Sequence, residues 1–153
     1  MFTNILLPVD GSAPSLRAAR RGIQLAKPFS AKVTALTVTT PWAAYFSREL
    51  AVVIPEVVVP QGEYDYKRET MAACILQNLV AEARAAGVKV SAVHRCHRDP
   101  YRAIIEVTER EGCDLIVMGS HCVKGIGGSL IGSETIKVVT HTSVPVLVYR
   151  END

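Results

Sequence analysis

Short, branched, apolar runs recur along the chain: TNILLPV at 3–9, KVTALTV at 32–38, VKVSAVH at 88–94, DLIVM at 114–118 and PVLVY at 145–149. Their length and composition predict strands buried on both faces of a sheet. Between them the period changes from that of a strand to that of a helix. Leu16, Ala19, Ile23 and Ala26 recur at spacings of three and four, with Arg17, Arg21 and Gln24 on the other side, the pattern of an amphipathic helix. Ile75, Leu79, Ala83 and Ala86 repeat it and stop at Gly87, a helix-ending glycine. DPYRAIIEVTEREG (99–112) offers Asp99 as N-cap, Pro100 at the first helical position and Gly112 as terminator. A last helix is expected from about Ser133 to His141, with Ile136 and Val139 turned inward.

Strands that alternate with helices imply a parallel sheet, right-handed crossovers and helices on both faces. The segment 41–66, PWAAYFSRELAVVIPEVVVPQGEYDY, breaks this rhythm between the second strand and the second helix. An insertion of that length is usually functional or a contact surface, and a lid over a ligand and an oligomer contact are both open readings.

Composition narrows the class without changing the picture. At 153 residues, 48% hydrophobic and 21% charged, the chain is expected to form one globular domain over 1–153. The net charge of +2 gives no electrostatic footprint for nucleic acid, and Arg17, Arg20 and Arg21 read as the solvated side of a helix. No secretory signal is legible in MFTNILLPVDGS. The most apolar run, LAVVIPEVVVP, is cut by Pro55 and Glu56 and falls short of the roughly 20 residues of a membrane span. No membrane or nucleic-acid partner is expected, and the location is expected to be cytoplasmic. The cysteines Cys74, Cys96, Cys113 and Cys122 form no C-x-x-C pair and read as free thiols; Cys74 and Cys113 read as core.

The candidate chemistry lies in two segments that leave strands at their carboxyl ends, the edge where open parallel sheets bind ligands. One is PVDGS, with Asp10, Gly11 and Ser12; the other is GSHCVKGIGGSLIGSET at 119–135. A glycine-rich turn that runs into a helix N-terminus presents N–H groups and the positive end of the helix dipole to a phosphate. Ser129, Ser133 and Thr135 add hydroxyls, and Lys124 adds charge. The nucleotide-binding P-loop pattern fails here because Ser133 stands where its lysine belongs, and G-x-G-x-x-G fails at Leu130. A ligand-free surface loop is the other reading.

NILLPVDGS, DPYRAIIEVTEREGCDLIVMGSH and GSETIKVVTHTSVPVLVY together resemble the universal stress protein family. The resemblance covers nearly the whole chain, with 41–66 as its divergent part. The nucleotide-binding branch of that family carries G-x2-G-x9-G-[ST]; Gly119, Gly132 and Ser133 keep its spacing, and Cys122 replaces its second glycine. The resemblance implies a five-stranded α/β fold with strand order 3-2-1-4-5, like that of adenine nucleotide alpha hydrolases. It also implies a homodimer joined through the last strand (145–149), and ATP, with or without Mg, held by this loop. Asp10 would then lie near ribose and adenine, Val38 would offer backbone to the base and Met118 would line the base end. Gly119, Gly132 and Ser133 would hold the phosphates, with Pro8, Cys122, Glu134 and Thr135 completing the set. A side chain at position 122 costs about 1–2 kcal/mol if the backbone there is left-handed. Glu134, in the first helical turn, would repel a phosphate if it pointed inward.

Metal and catalytic readings are weaker. HRCH (94–97) and HC (121–122) sit, by the family's strand order, on strands about 14 Å apart at roughly 4.8 Å per strand, and zinc needs its ligands within about 2.3 Å of one ion. No metal site is expected. Cys122 beside His121 lacks an orienting third group, and no general base is apparent, so no catalytic residue is assigned. The expected protein is a stress-response regulator that binds an adenine nucleotide. The alternatives are an interaction protein of the same fold without nucleotide and, at most, a weak ATPase.

Overall fold

In the computed structural model, which describes residues 1–44, 59–120, 123–125, 128–130 and 132–150, the apolar runs form the strands expected of them. They are β1 (Asn4–Pro8), β2 (Lys32–Thr39), β3 (Val90–Cys96), β4 (Leu115–Gly119) and, last in the chain, β7 (Val146–Tyr149). These five pair in the order β3-β2-β1-β4-β7, all parallel. This is the expected 3-2-1-4-5 order, with a two-stranded hairpin, β5 (Val123–Gly125) and β6 (Gly128–Leu130), interposed before the last strand. Helices α1 (Ala13–Phe29), α2 (Gln61–Ala85), α3 (Pro100–Arg110) and α4 (Ser133–His141) make the crossovers.

The near-continuous apolar character of the strands follows from burial on both sides. Ile5, Leu7, Val33, Leu115 and Val117 point to one face and pack with Ala19, Ile23 and Ala26 of α1 and Leu76, Leu79 and Ala83 of α2. The alternate residues Leu6, Leu36, Ile116 and Met118 point to the other face, against Ile104 and Val107 of α3 and Val138 of α4. Ile5, Leu6 and Leu7 are wholly buried, a contribution of about 1.5–3 kcal/mol each.

The helix stops follow glycine chemistry. Gly87 and Gly112 follow the C-caps Ala86 and Glu111 with φ of 76° and 63°, the left-handed backbone that a side chain resists. Ser12 caps α1, its Oγ accepting from Ser15 N at 3.3 Å.

Four expectations need correction or narrowing. Ile136 and Val139 do not face inward: they are 47% and 49% exposed, and Thr135 and Val138 are buried in their place. Both pairs are three apart, so spacing alone leaves α4 free to rotate by one residue. Cys74 is exposed rather than core. It lies two residues past the buried Ala72, about 200° round the helix. Arg17 is only partly solvated, although Arg20 and Arg21 are exposed. The expected insertion is shorter at its far end, because residues 61–66 already belong to α2; positions 45–58 of it lie outside the described residues.

Candidate functional site

The strand order reverses between β1 and β4, and a cleft of about 280 Å³ opens at the carboxyl ends of these strands and of β2. Nine of the candidates from the sequence line it, whereas Gly11 and Ser12 of PVDGS do not. Pro8 and Asp10 come from the end of β1, Val38 from β2, and Met118 and Gly119 from β4. Gly132, Ser133, Glu134 and Thr135 come from the start of α4. Cys122 lies outside the described residues, as do the side chains of Lys124 and Ser129.

Asp10 is fixed by the start of α1. Its Oδ1 accepts from Ser15 Oγ at 2.6 Å and from Ser12 N at 2.9 Å, and Gly11, at φ 83°, makes the turn. Gly119 is held by packing. A Cβ there would lie 2.5 Å from the carbonyl oxygen of Pro14 and 3.0 Å from Ser15 N, so the end of β4 passes directly against the first turn of α1.

The next residue closes the glycine-rich segment at its neck. Ser120 is buried; its N–H donates to Tyr149 O at 3.2 Å, and its Oγ accepts from Gly132 N at 3.0 Å. Between them the backbone of β5 and β6 pairs antiparallel, Val123 opposite Leu130 and Gly125 opposite Gly128.

Helix α4 then begins at Gly132, which supplies no side-chain cap. The N–H groups of Ser133, Glu134 and Thr135 have no acceptor among the described residues. They are the orphan donors of a first turn, and they border the cleft. Glu134 is turned away from them: Oε2 accepts from Tyr101 N at 3.1 Å and Oε1 pairs with Lys137 Nζ at 2.7 Å. Asp99 occupies the N-cap of α3 but makes no side-chain capping bond; Glu134 serves that terminus instead.

The cleft therefore has two characters. Leu36, Val38, Ile104 and Met118 supply an apolar wall, and Asp10, Ser15 and the first turn of α4 supply polar groups at its rim. A flat apolar ring with an anionic tail matches that division. Ser15, Leu36, Pro100 and Ile104 were not singled out from sequence, nor was Ser120. For Ser15 the signal was present in Ser12-x-x-Ser15 at a helix start. Ile104 and Leu36 carry only the general mark of core residues.

Elsewhere the histidines of HRCH are engaged locally: His94 Nε2 meets Thr39 Oγ1 at 2.8 Å, and His97 Nδ1 accepts from Asp99 N at 2.9 Å. Among the described residues no three His, Cys, Asp or Glu side chains are grouped to hold a metal ion. No helix among them is long and apolar enough to cross a membrane.

A model of the universal stress protein family matches residues 1–150. Universal stress protein YxiE of Bacillus subtilis is 28% identical over 151 residues, 98% of this chain and all of that protein. The solved structure of MJ0577, a universal stress protein of Methanocaldococcus jannaschii, superimposes with a TM-score of 0.79 at 27% identity and covers 100% of this chain and 99% of its own. A universal stress protein crystallised in complex with cAMP gives a TM-score of 0.68 at 24% identity, over 99% of this chain and 98% of its own.

Proposed function

The chain belongs to the universal stress protein family, and we propose that it is a cytoplasmic stress-response module whose ligand is an adenine nucleotide bound between β1 and β4. ATP, with or without Mg, is the form the motif spacing of Gly119, Gly132 and Ser133 favours. The observation that carries the reading is the juxtaposition of the apolar wall with the uncapped first turn of α4 in one cleft. Adenine would lie against Val38, Ile104 and Met118, the ribose toward Asp10, and the phosphates toward the N–H groups of Ser133, Glu134 and Thr135. The cAMP complex of a similar fold adds support of the same kind.

Two departures from the family's motif bear on this reading. The carboxylate of Glu134 is occupied by Tyr101 N and Lys137, which lessens its repulsion of a phosphate. Position 122 remains a thiol where the motif has glycine. The protein is read as a binding module and at most a weak ATPase: of the two acids that line the cleft, Asp10 accepts from Ser12 and Ser15 in the α1 turn and Glu134 from Tyr101 N. The homodimer is proposed to form through β7, which pairs with β4 on one side and leaves Leu147 41% exposed.

Titration calorimetry of the purified chain with MgATP, ADP and AMP tests the ligand. Micromolar or tighter binding is expected. Neither heat nor thermal stabilisation at millimolar nucleotide would overturn the reading.

A further inference from the structure

The side chain of Glu134 joins the first turns of the two helices that border the cleft, α3 and α4. It sits in the first turn of α4, and its Oε2 reaches across to accept from Tyr101 N at 3.1 Å, 33 residues away in sequence. That N–H belongs to the first turn of α3, where Pro100 has no N–H and Asp99 makes no side-chain capping bond. The contact is reinforced from α4. Lys137 Nζ lies 2.7 Å from Glu134 Oε1 and 5.6 Å from the centroid of the Tyr101 ring. The His141 ring stands 5.3 Å from that same ring. Residues 134, 137 and 141 fall on one stripe of a helix, and all three meet Tyr101.

The two helices hold different parts of the cleft. Helix α3 contributes Pro100 and Ile104 to the apolar wall, and α4 contributes Gly132, Ser133 and Thr135 to the polar rim. A charge-assisted hydrogen bond between their first turns links the wall to the rim. A ligand that uses only the wall is indifferent to that separation. One that spans both is not, because binding energy from two subsites adds only when their spacing fits the molecule.

We propose that Glu134 is a positioning residue for the nucleotide site: it ties α4 to α3 and so sets the distance between the base-binding wall and the phosphate-binding rim. The proposal rests on the adenine-nucleotide reading given above and assigns to Glu134 a role opposite to that of a repelling charge. Glu134→Ala removes the tie, whereas Glu134→Gln keeps an acceptor for Tyr101 N in a weaker, neutral hydrogen bond and loses an ion pair with Lys137 at the surface, which contributes little.

The test is titration calorimetry of AMP and of adenosine against the full chain and both variants, with melting temperatures recorded in parallel. Glu134→Ala is expected to weaken AMP by about tenfold, the order set by loss of a hydrogen bond to a charged group, and to leave adenosine within about twofold. Glu134→Gln is expected to restore AMP binding to near the parent value. An unchanged ratio of AMP to adenosine affinity in Glu134→Ala would overturn the proposal and leave the nucleotide reading intact. Tighter AMP binding by that variant would also overturn it, in favour of repulsion. If the parent chain bound neither ligand, the nucleotide reading would fail and the proposal with it.

Discussion

Gly119 and Pro14 approach so closely that a methyl group on Gly119 would lie 2.5 Å from the Pro14 carbonyl oxygen. Glycine is needed here because β4 ends against the first turn of α1, and both flank the cleft. No left-handed backbone is involved, so the constraint is purely one of contact. Gly119→Ala should therefore destabilise the fold by about 1–3 kcal/mol, as overpacking does, read as a lower urea midpoint at unchanged slope. A variant as stable as the parent would show that α1 can move aside.

Ser120 closes the neck of the glycine-rich segment by accepting from Gly132 N. Ser120→Ala leaves that N–H without its partner at the start of α4, at a cost of about 1–3 kcal/mol. The expected result is a lower melting temperature and nucleotide affinity reduced about tenfold, since α4 carries the rim. Affinity equal to the parent's would mean that the hairpin backbone alone places the helix.

Acid sensitivity is expected from the opposite edge of the sheet. Burial pushes the Asp114 carboxyl up, but hydrogen bonds from Thr3 Oγ1, Thr3 N and Asn4 N outweigh it and hold the group below its ordinary value of 3.8. A carboxyl depressed in the folded state stabilises it above the unfolded value, and that stability is lost as pH falls through the folded value. Stability should thus decline below about pH 4, and Asp114→Asn should be less stable at pH 7 while losing less on acidification. Parallel stability–pH curves for parent and variant, measured by urea unfolding, would contradict this assignment.

The β7 edge offers the proposed dimer surface. Leu147→Glu places a charge at a position 41% exposed and should halve the mass seen by light scattering at micromolar concentration. The melting temperature of the monomer should change little, because the side chain is not core. A parent chain that is itself monomeric would remove the homodimer.

The sequence by itself determined the alternation of elements and the sheet's two-sided burial, because short branched runs such as ILLPV and LIVM suit strands covered by helices on both faces. It also determined where α2 and α3 stop, since Gly87 and Gly112 adopt a backbone that glycine alone tolerates cheaply. Motif spacing marked Gly119, Gly132 and Ser133 of the cleft, and the family resemblance implied the others, from Pro8 to Thr135. Tertiary structure decided what local periodicity leaves degenerate. The i, i+3 pair Ile136 and Val139 and the pair Thr135 and Val138 are equivalent in spacing, and only the underlying sheet selects the second for burial. Asp99 is an ordinary N-cap by sequence, yet Glu134 supplies the acceptor to that terminus. A hydrogen bond across 33 residues depends on which strands lie side by side, and that order is a property of the packed sheet, not of any window of the chain.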